Sequence, residues 1–400
     1  MSFIWSKADQ LGNWTYSIDL SSSWDRHSVQ LKPIYKHSPV LNQFALWPDS
    51  TGNTFYSFDG SIPAVFEDWS DLAPKSTQFW YFTPNGGSGD WMPASIISSS
   101  IFSSLIQVSA GYYASGNGLG FALGGIASDG SSYPFGLLTD TWQRLPGIVM
   151  YNESSQEWSN ATSRGFTYNG FADNGAAHFV PNFGPEGLLF AFGGNTANSA
   201  DGDAIPISLN TAAMFEPVSK QWKTQPVTGD PPDSTLNQCV VGVQGDNGTY
   251  EIFMYGGYVD DDTTATMDLG AVWVLSLPAF HWTKQLDPLG FGRFRHSCQV
   301  AGNRQMISIG GQIVTKDVDT IDWFDCAVDP WEQGIGVFDL TDLKWKSSYD
   351  ADAESYVTSR IIKDYYEQNA PYPSWDSPEV ERWMVEQGAL FNQQAALYLY

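Results

Sequence analysis

Residues 121–125 read FALGG, residues 190–194 FAFGG, residues 253–257 FMYGG and residues 308–311 SIGG. In each, a short apolar run ends in a glycine pair. A further copy, FYSFDG at 55–60, keeps the run but carries Asp59 in place of the first glycine. Each copy is followed by a second aromatic or aliphatic stripe: FWYFTP, GIVMYN, AAMFEP, VWVLSL and GVFDLT. A turn and a tryptophan come next, at Trp91, Trp158, Trp222, Trp282 and Trp345, and Trp24 precedes the first copy. Successive gaps between these six tryptophans are 67, 67, 64, 60 and 63 residues. Each repeat therefore reads as strand, strand, Gly-Gly, long loop, strand, turn, strand with Trp. Such a unit cannot bury both faces alone and must stack with copies of itself around an axis. The glycine pair lets a strand end in a conformation closed to other residues and lets neighbours approach. The Trp ring fills the wedge between adjacent units. The expectation is a single all-β domain over 1–400, a six-bladed β-propeller with a ligand-sized channel along its axis.

Composition agrees. Aromatic residues make up 15%, charged residues only 16%, and there are 38 glycines, which suits short strands joined by tight turns. The net charge of −25 argues against nucleic acid or an anionic membrane as partner, because both need a basic face. No stretch approaches the roughly 20 apolar residues of a membrane helix. Cys239, Cys298 and Cys326 cannot all pair within one chain, and no CxxC or Cys/His ligand spacing appears, so neither metal nor cofactor is expected. Cys239 and Cys298, in apolar runs, read as small buried residues. Sequons at Asn13, Asn152, Asn160 and Asn247 are compatible with the secretory pathway. The first residues, MSFIWSKADQ, have no apolar signal-peptide core. Either a leader is missing from the numbered chain, the preferred reading, or the protein is cytosolic. Oligomeric state is not encoded.

One blade looks incomplete. WTYSIDLSSSW at 14–24 supplies two outer strands with no Gly-Gly strand before them. The C-terminal GALFNQQAALYLY ends in period-two alternation, so strands at about 389–400 are expected to share a blade with strands at about 14–25 and close the ring. Helical periodicity covers about 353–368 and 377–387, the second with Ser377 as N-cap and Pro378 in the first turn.

The Gly-Gly, aromatic and Trp register resembles the kelch repeat, with a period lengthened by long loops. SIDLSSSW, LWPDSTGNTFYSF, GDNGTYEIFMYGG, VLSLPAFHW, NRQMISIGG, QGIGVFDLTDLKW and SSYDADAESY are similar to a fungal family of extracellular kelch proteins, over about residues 14–380. Members commonly continue into a membrane helix and tail; the sequence ends before one, which fits either a truncation or a soluble branch. Copper radical oxidases such as galactose oxidase share the repeat, but their chemistry needs a Tyr linked to a Cys, a second Tyr and two His. With five histidines and no such register, that chemistry is not expected. Soluble fungal kelch proteins that accelerate hetero-Diels–Alder reactions, joining a tropolone quinone methide to humulene, offer the other comparison. That resemblance implies apolar or aromatic small-molecule substrates and a metal-independent pericyclase.

Propellers bind ligands at the channel mouth, on loops and innermost strand starts. Aligned, those starts place Asn42-Gln43, Gly111-Tyr112, Asp173-Asn174, Asn237-Gln238 and Arg295-His296 together. Such polar groups hydrate a channel in any case. Read functionally, Gln43, Asn237, Gln238 and His296 are the catalytic donors, polarising a heterodiene carbonyl. Asn42, Tyr112, Asn174, Tyr258 and Trp323 are the substrate-binding set. His296 also fits the Arg-x-x-His turn of kelch blades; His178 reads as core and His281 as a neighbour of Trp282. Asp260-Asp261-Asp262 reads as a solvated loop rather than a calcium site. The alternative to an enzyme is a non-catalytic secreted or cell-surface interaction protein.

Overall fold

The computed structural model describes residues 2–3, 14–62, 76–97, 99–132, 142–246, 248–259, 268, 270–313 and 329–386. Five blades of four antiparallel strands stand in chain order. Blade 1 is Ala45–Pro48, Phe55–Phe58, Phe79–Asn85 and Ser88–Pro93. Blade 2 is Tyr112–Gly116, Leu119–Leu123, Ile148–Asn152 and Glu157–Ala161. Blade 3 is Ala176–Val180, Leu188–Phe192, Thr211–Glu216 and Gln221–Pro226. Blade 4 is Cys239–Gln244, Tyr250–Tyr255, Val272–Leu277 and His281–Gln285, with Thr228–Gly229 added in parallel at its outer edge. Blade 5 is Ser297–Ala301, Gln305–Ile309, Ile335–Asp339 and Lys344–Lys346. The first strand of each blade neighbours the first strand of the next. The second strands, ending at the glycine pairs, are buried along their length in blades 3, 4 and 5. That is why these strands read as continuous apolar runs.

The expected sixth blade is not formed among the described residues. A small sheet takes part of its place: Trp14–Ser17 pairs with Lys32–Tyr35 on one side and Ser2–Phe3 on the other. The two strands read within WTYSIDLSSSW do not pair with each other. The Trp24–Asp25 strand instead pairs with Ser348–Tyr349, and the Trp24 ring stacks on Tyr349 at 5.2 Å. Residues between 14 and 35 still touch both neighbours. Ile34 packs with Phe82 and Trp91 of blade 1, and Ile18, Trp24 and Val29 pack with Ile307, Ile309 and Val337 of blade 5. The closing strand expected at 389–400 lies outside the described residues.

The tryptophans do what their spacing implies. Trp158 of blade 2 sits against Trp47, Phe58 and Phe79 of blade 1. Trp282 of blade 4 meets Phe192 of blade 3, and Trp345 of blade 5 meets Tyr255 of blade 4. Each ring thus excludes water from the blade before its own.

The first of the two expected helices is shorter than its periodicity suggests, while the second runs as expected, its α-helical turn continuing as a π-helix over Arg382–Glu386. Ser100–Ser104 forms α1, Arg360–Gln368 forms α2 and Pro378–Glu381 forms α3. Residues 353–359 are not helical, because tertiary bonds claim their backbone. The Ala353 carbonyl accepts from Asn303, and the Tyr356 and Val357 N–H groups donate to the Asn303 carbonyl and the Thr341 hydroxyl. Ser377 caps α3 through Val380 N–H, with Pro378 in its first turn. Val380, Trp383 and Met384 then bury into the core shared by blades 3 and 4.

Candidate functional site

One backbone feature recurs at the innermost strand starts. Gln43, Ala110, Asn174, Asn237 and Arg295 each stand two residues before a first strand, with φ between 53° and 57°. Asn tolerates this left-handed region better than most residues, so Asn174 and Asn237 have a conformational reason to be there. Their main chains join blade to blade. Asn174 N–H donates to Ala110 (2.8 Å), Asn237 to Asn174 (2.7 Å) and Arg295 to Asn237 (3.0 Å). The glycine pairs lock the same rim. The N–H groups of Gly60, Gly125, Gly194 and Gly257 donate to the carbonyls of Val108, Ala172, Thr235 and Arg293, each two residues before a left-handed residue of the next blade. At Gly124 no side chain fits: a Cβ there would fall 2.1 Å from the Ala172 oxygen. Asp59 holds that left-handed position in blade 1 at φ 63°.

This register corrects the expected alignment, in which Gly111-Tyr112 matched Asn42-Gln43; the structural match is Ala110. Tyr112 is fully buried between blades 2 and 3, and its hydroxyl donates to the Gly193 carbonyl at 2.6 Å. It holds an interface rather than lining the rim. Asn42 and Gln43 are exposed, Asn42 with its main chain bridged to Ser61. Asn174 donates to Asp173 at 2.7 Å. Tyr258 packs edge-on against Phe294 at 4.9 Å. Trp323 and Asp260–Asp262 lie outside the described residues, as do Asn13, Asn247 and Cys326. Asn160 is exposed, whereas Asn152 Oδ1 accepts from the Ser154 and Ser155 N–H groups and shapes the hairpin turn. His178 bonds Tyr250 at 2.8 Å, and burial lowers its pKa to about 4.

The other three candidates come together at blades 4 and 5. A Cβ on Gly257 would meet the Cβ atoms of Thr235 and Gln238 at 2.9 and 3.1 Å, and one on Gly256 would meet His296 Cε1 at 2.5 Å. Around this pair, buried polar atoms lack partners among the described residues: Thr235 Oγ1, Asn237 Nδ2, Gln238 Oε1, Arg293 Nε and both His296 ring nitrogens. Gln238 spends only its Nε2, on the Phe192 carbonyl (2.8 Å). Buried polar atoms are nearly always satisfied, so such a group calls for an explanation. The imidazole in it is neutral: burial, and then the Arg293 charge, lower the His296 pKa to about 3.

Sequence reading missed three parts of this rim. Cys239 and Cys298 form a disulfide between the first strands of blades 4 and 5. Arg293 is fully buried, donating to the Gly310 carbonyl and Asp329 (both 2.6 Å) and lying over Trp331. Between blades 2 and 3, buried Arg144 and Asp173 form an ion pair. Only the Arg-x-x-His signature of Arg293 and His296 hinted at any of these.

No protein-family model matches the chain. It is 22% identical over 364 residues to a kelch repeat-containing protein of Arthroderma benhamiae, covering 84% of this chain and 52% of that protein. The blade pattern and this likeness support a kelch-repeat family. The fold is an all-β propeller whose repeats are similar to those of kelch proteins. The chain spans about half the length of the relative it matches. Two clefts also mark this propeller's periphery. One, of about 490 Å³, lies between the outer strand of blade 4 and α2, lined by Asp230, His281, Lys284, Asp364 and Tyr365. The other, of about 350 Å³, lies by Gly147, Arg164 and Asn198. His281 stacks on Tyr365 at 3.8 Å in the first, so its surroundings include α2 as well as Trp282. Among the described residues no helix is long and apolar enough to cross a membrane.

Proposed function

We propose that this kelch propeller binds a neutral, carbonyl-bearing small molecule at the rim of blades 4 and 5. There it catalyses a cycloaddition of hetero-Diels–Alder type, joining a polyketide-derived quinone methide to a terpene. The observation carrying this reading is the cluster of polar atoms of Thr235, Asn237, Gln238 and His296 around Gly256-Gly257 that are unpartnered among the described residues, with the charged Arg293 guanidinium beside it. A heterodiene carbonyl gains negative charge as it reacts, and preorganised neutral donors in a dry site stabilise that charge. Asn237 Nδ2 and a His296 N–H are such donors, while Gln238 Oε1 orients a hydroxyl on the substrate. Asn42, Gln43 and Asn174 extend the polar rim. No strong acid, base or metal is needed, since holding two reactants face to face lowers the barrier by itself. The interblade disulfide and exposed Asn160 support passage through an oxidising secretory compartment. The exposed Ser297 and Gln299 on the first strand of blade 5 support completion of the sixth blade by residues 389–400.

The test is a product assay with a quinone-methide precursor and humulene-type terpenes against a no-protein control. A single stereoisomer above background is expected. Asn237→Gly, which keeps the left-handed backbone, and Gln238→Met should each slow it about tenfold or more. A background mixture from every pair would overturn catalysis. It would favour the second reading, a non-catalytic interaction protein, for which the 490 Å³ outer cleft beside α2 is the supporting observation.

A further inference from the structure

Cys239 and Cys298 lie 59 residues apart in sequence, yet their α-carbons are 5.7 Å apart across the seam of blades 4 and 5. His296 stands beside them. One of its ring nitrogens and the two sulfurs lie within 4.8 Å of one another. The imidazole is only 8% exposed, and neither ring nitrogen completes a hydrogen bond among the described residues. The Tyr255 carbonyl lies close enough to favour a ring N–H. An imidazole that presents one nitrogen to a pair of sulfurs, with a backbone carbonyl near the ring, has the surroundings of a metal-ligating histidine.

We propose that reduction of the Cys239–Cys298 disulfide opens a zinc-class metal site, with both sulfurs and a His296 ring nitrogen as ligands. A dithiol reductant supplies two electrons and two protons. The S–S bond breaks, two thiols form and the reductant closes to its own disulfide. The metal ion then displaces both thiol protons. Two thiolates and a divalent ion sum to zero charge, which suits a buried seam. Thiolate and imidazole ligands with no carboxylate in the group select zinc-like ions over calcium or magnesium. Tetrahedral binding at a Zn–S length of about 2.3 Å puts the sulfurs about 3.8 Å apart. That matches the usual Cβ separation of a disulfide, so rotation of the two side chains suffices and the strands need not move. Three protein ligands leave the fourth position open. The metal would replace one cross-link between blades with another and withdraw His296 from the rim. The inference stands on this geometry whether or not the rim is catalytic.

The test uses cobalt(II) as a spectroscopic stand-in, titrated into the full chain before and after reduction. One cobalt per reduced chain is expected, with thiolate-to-metal charge-transfer absorption that zinc abolishes, and no such absorption from the oxidised chain. Cys298→Ser should lose the charge-transfer band, and His296→Gln should weaken binding at least about tenfold. His296→Gln keeps both cysteines, so it remains informative if a cysteine variant fails to fold. Cys326→Ser should bind as the parent does. The proposal is overturned if the reduced chain takes up no cobalt, if the oxidised chain gives the same spectrum, or if binding follows Cys326 and ignores His296.

Discussion

Glu251 is fully buried in the second strand of blade 4, and replacing it with glutamine should rewrite the pH dependence of stability. Its Oε1 accepts from the Thr249 hydroxyl at 2.5 Å and its Oε2 from the Tyr356 hydroxyl at 3.3 Å. Among the described residues no cation pairs with it, and Lys363 is bound to Asp246 at 3.0 Å. Burial, with a smaller push from the Asp246 charge, raises its pKa to about 8 from an ordinary 4.5. Between those values the folded chain keeps a proton that the unfolded chain has released. Stability therefore falls as pH rises, by about 1.4 kcal/mol per pH unit and about 5 kcal/mol across the window. Below pH 4.5 both states hold the proton and the effect vanishes. Glutamine mimics the protonated acid: its oxygen accepts from one hydroxyl, and its NH₂ donates to the other. The assay is denaturant unfolding of parent and Glu251→Gln at pH 5.5, 6.5, 7.5 and 8.5, kept above the pI of about 4.2. Other titrating groups are common to both chains and cancel in the difference. The variant should gain on the parent steadily from pH 5.5 to 8. Parallel profiles would refute a protonated, buried Glu251.

Trp158→Ala empties a site ringed by Trp47, Phe58, Phe79, Phe102 and Tyr151. It should cost about 3–5 kcal/mol in denaturant unfolding, and a loss below 1 kcal/mol would deny the wedge role. Asp59→Gly restores the glycine that blades 2 to 5 carry at this left-handed position and should stabilise by about 1 kcal/mol, read as a higher melting temperature. Gly194→Ala sets a methyl 2.1 Å from the Tyr112 hydroxyl at φ +79°. It should destabilise by about 1–3 kcal/mol, and pairing it with Tyr112→Phe should recover part of that loss.

The blades were legible because their signals are local. FMYGG carries an apolar run, a turn conformation and a close approach within five residues, and Trp282 follows 25 residues after its second glycine. The sixth position was misread for the opposite reason. WTYSIDLSSSW has the composition of two paired strands, but Trp24 finds Tyr349, 325 residues away by number, and no local pattern announces that partner. Residues 353–359 show the same competition. They carry helical periodicity, yet bonds to Asn303 and Thr341 hold their backbone extended, and tertiary contacts outweigh the few tenths of a kcal/mol per residue that helix propensity offers.

The rim shows why a site is harder to read than a fold. The polar residues at the strand starts were visible, but their reason was not: what recurs there is a left-handed backbone, served by Asn in two blades and by Gln, Ala and Arg in the others. A reading based on side chains therefore grouped Tyr112 with Gln43, although Tyr112 is locked between blades and Ala110 occupies the equivalent place. What sets blades 4 and 5 apart is a departure from that repeat. At the next position, where blades 2 and 3 have Gly111 and Gly175, they carry Gln238 and His296. Glycine there asks nothing of its surroundings, whereas an amide and an imidazole bring polar atoms that the seam does not satisfy. A repeat can keep its fold with glycine in that position, so the cost of Gln238 and His296 is not required by the architecture. It is at such positions, polar beyond what stacking needs, that a ligand or a metal has something to bind.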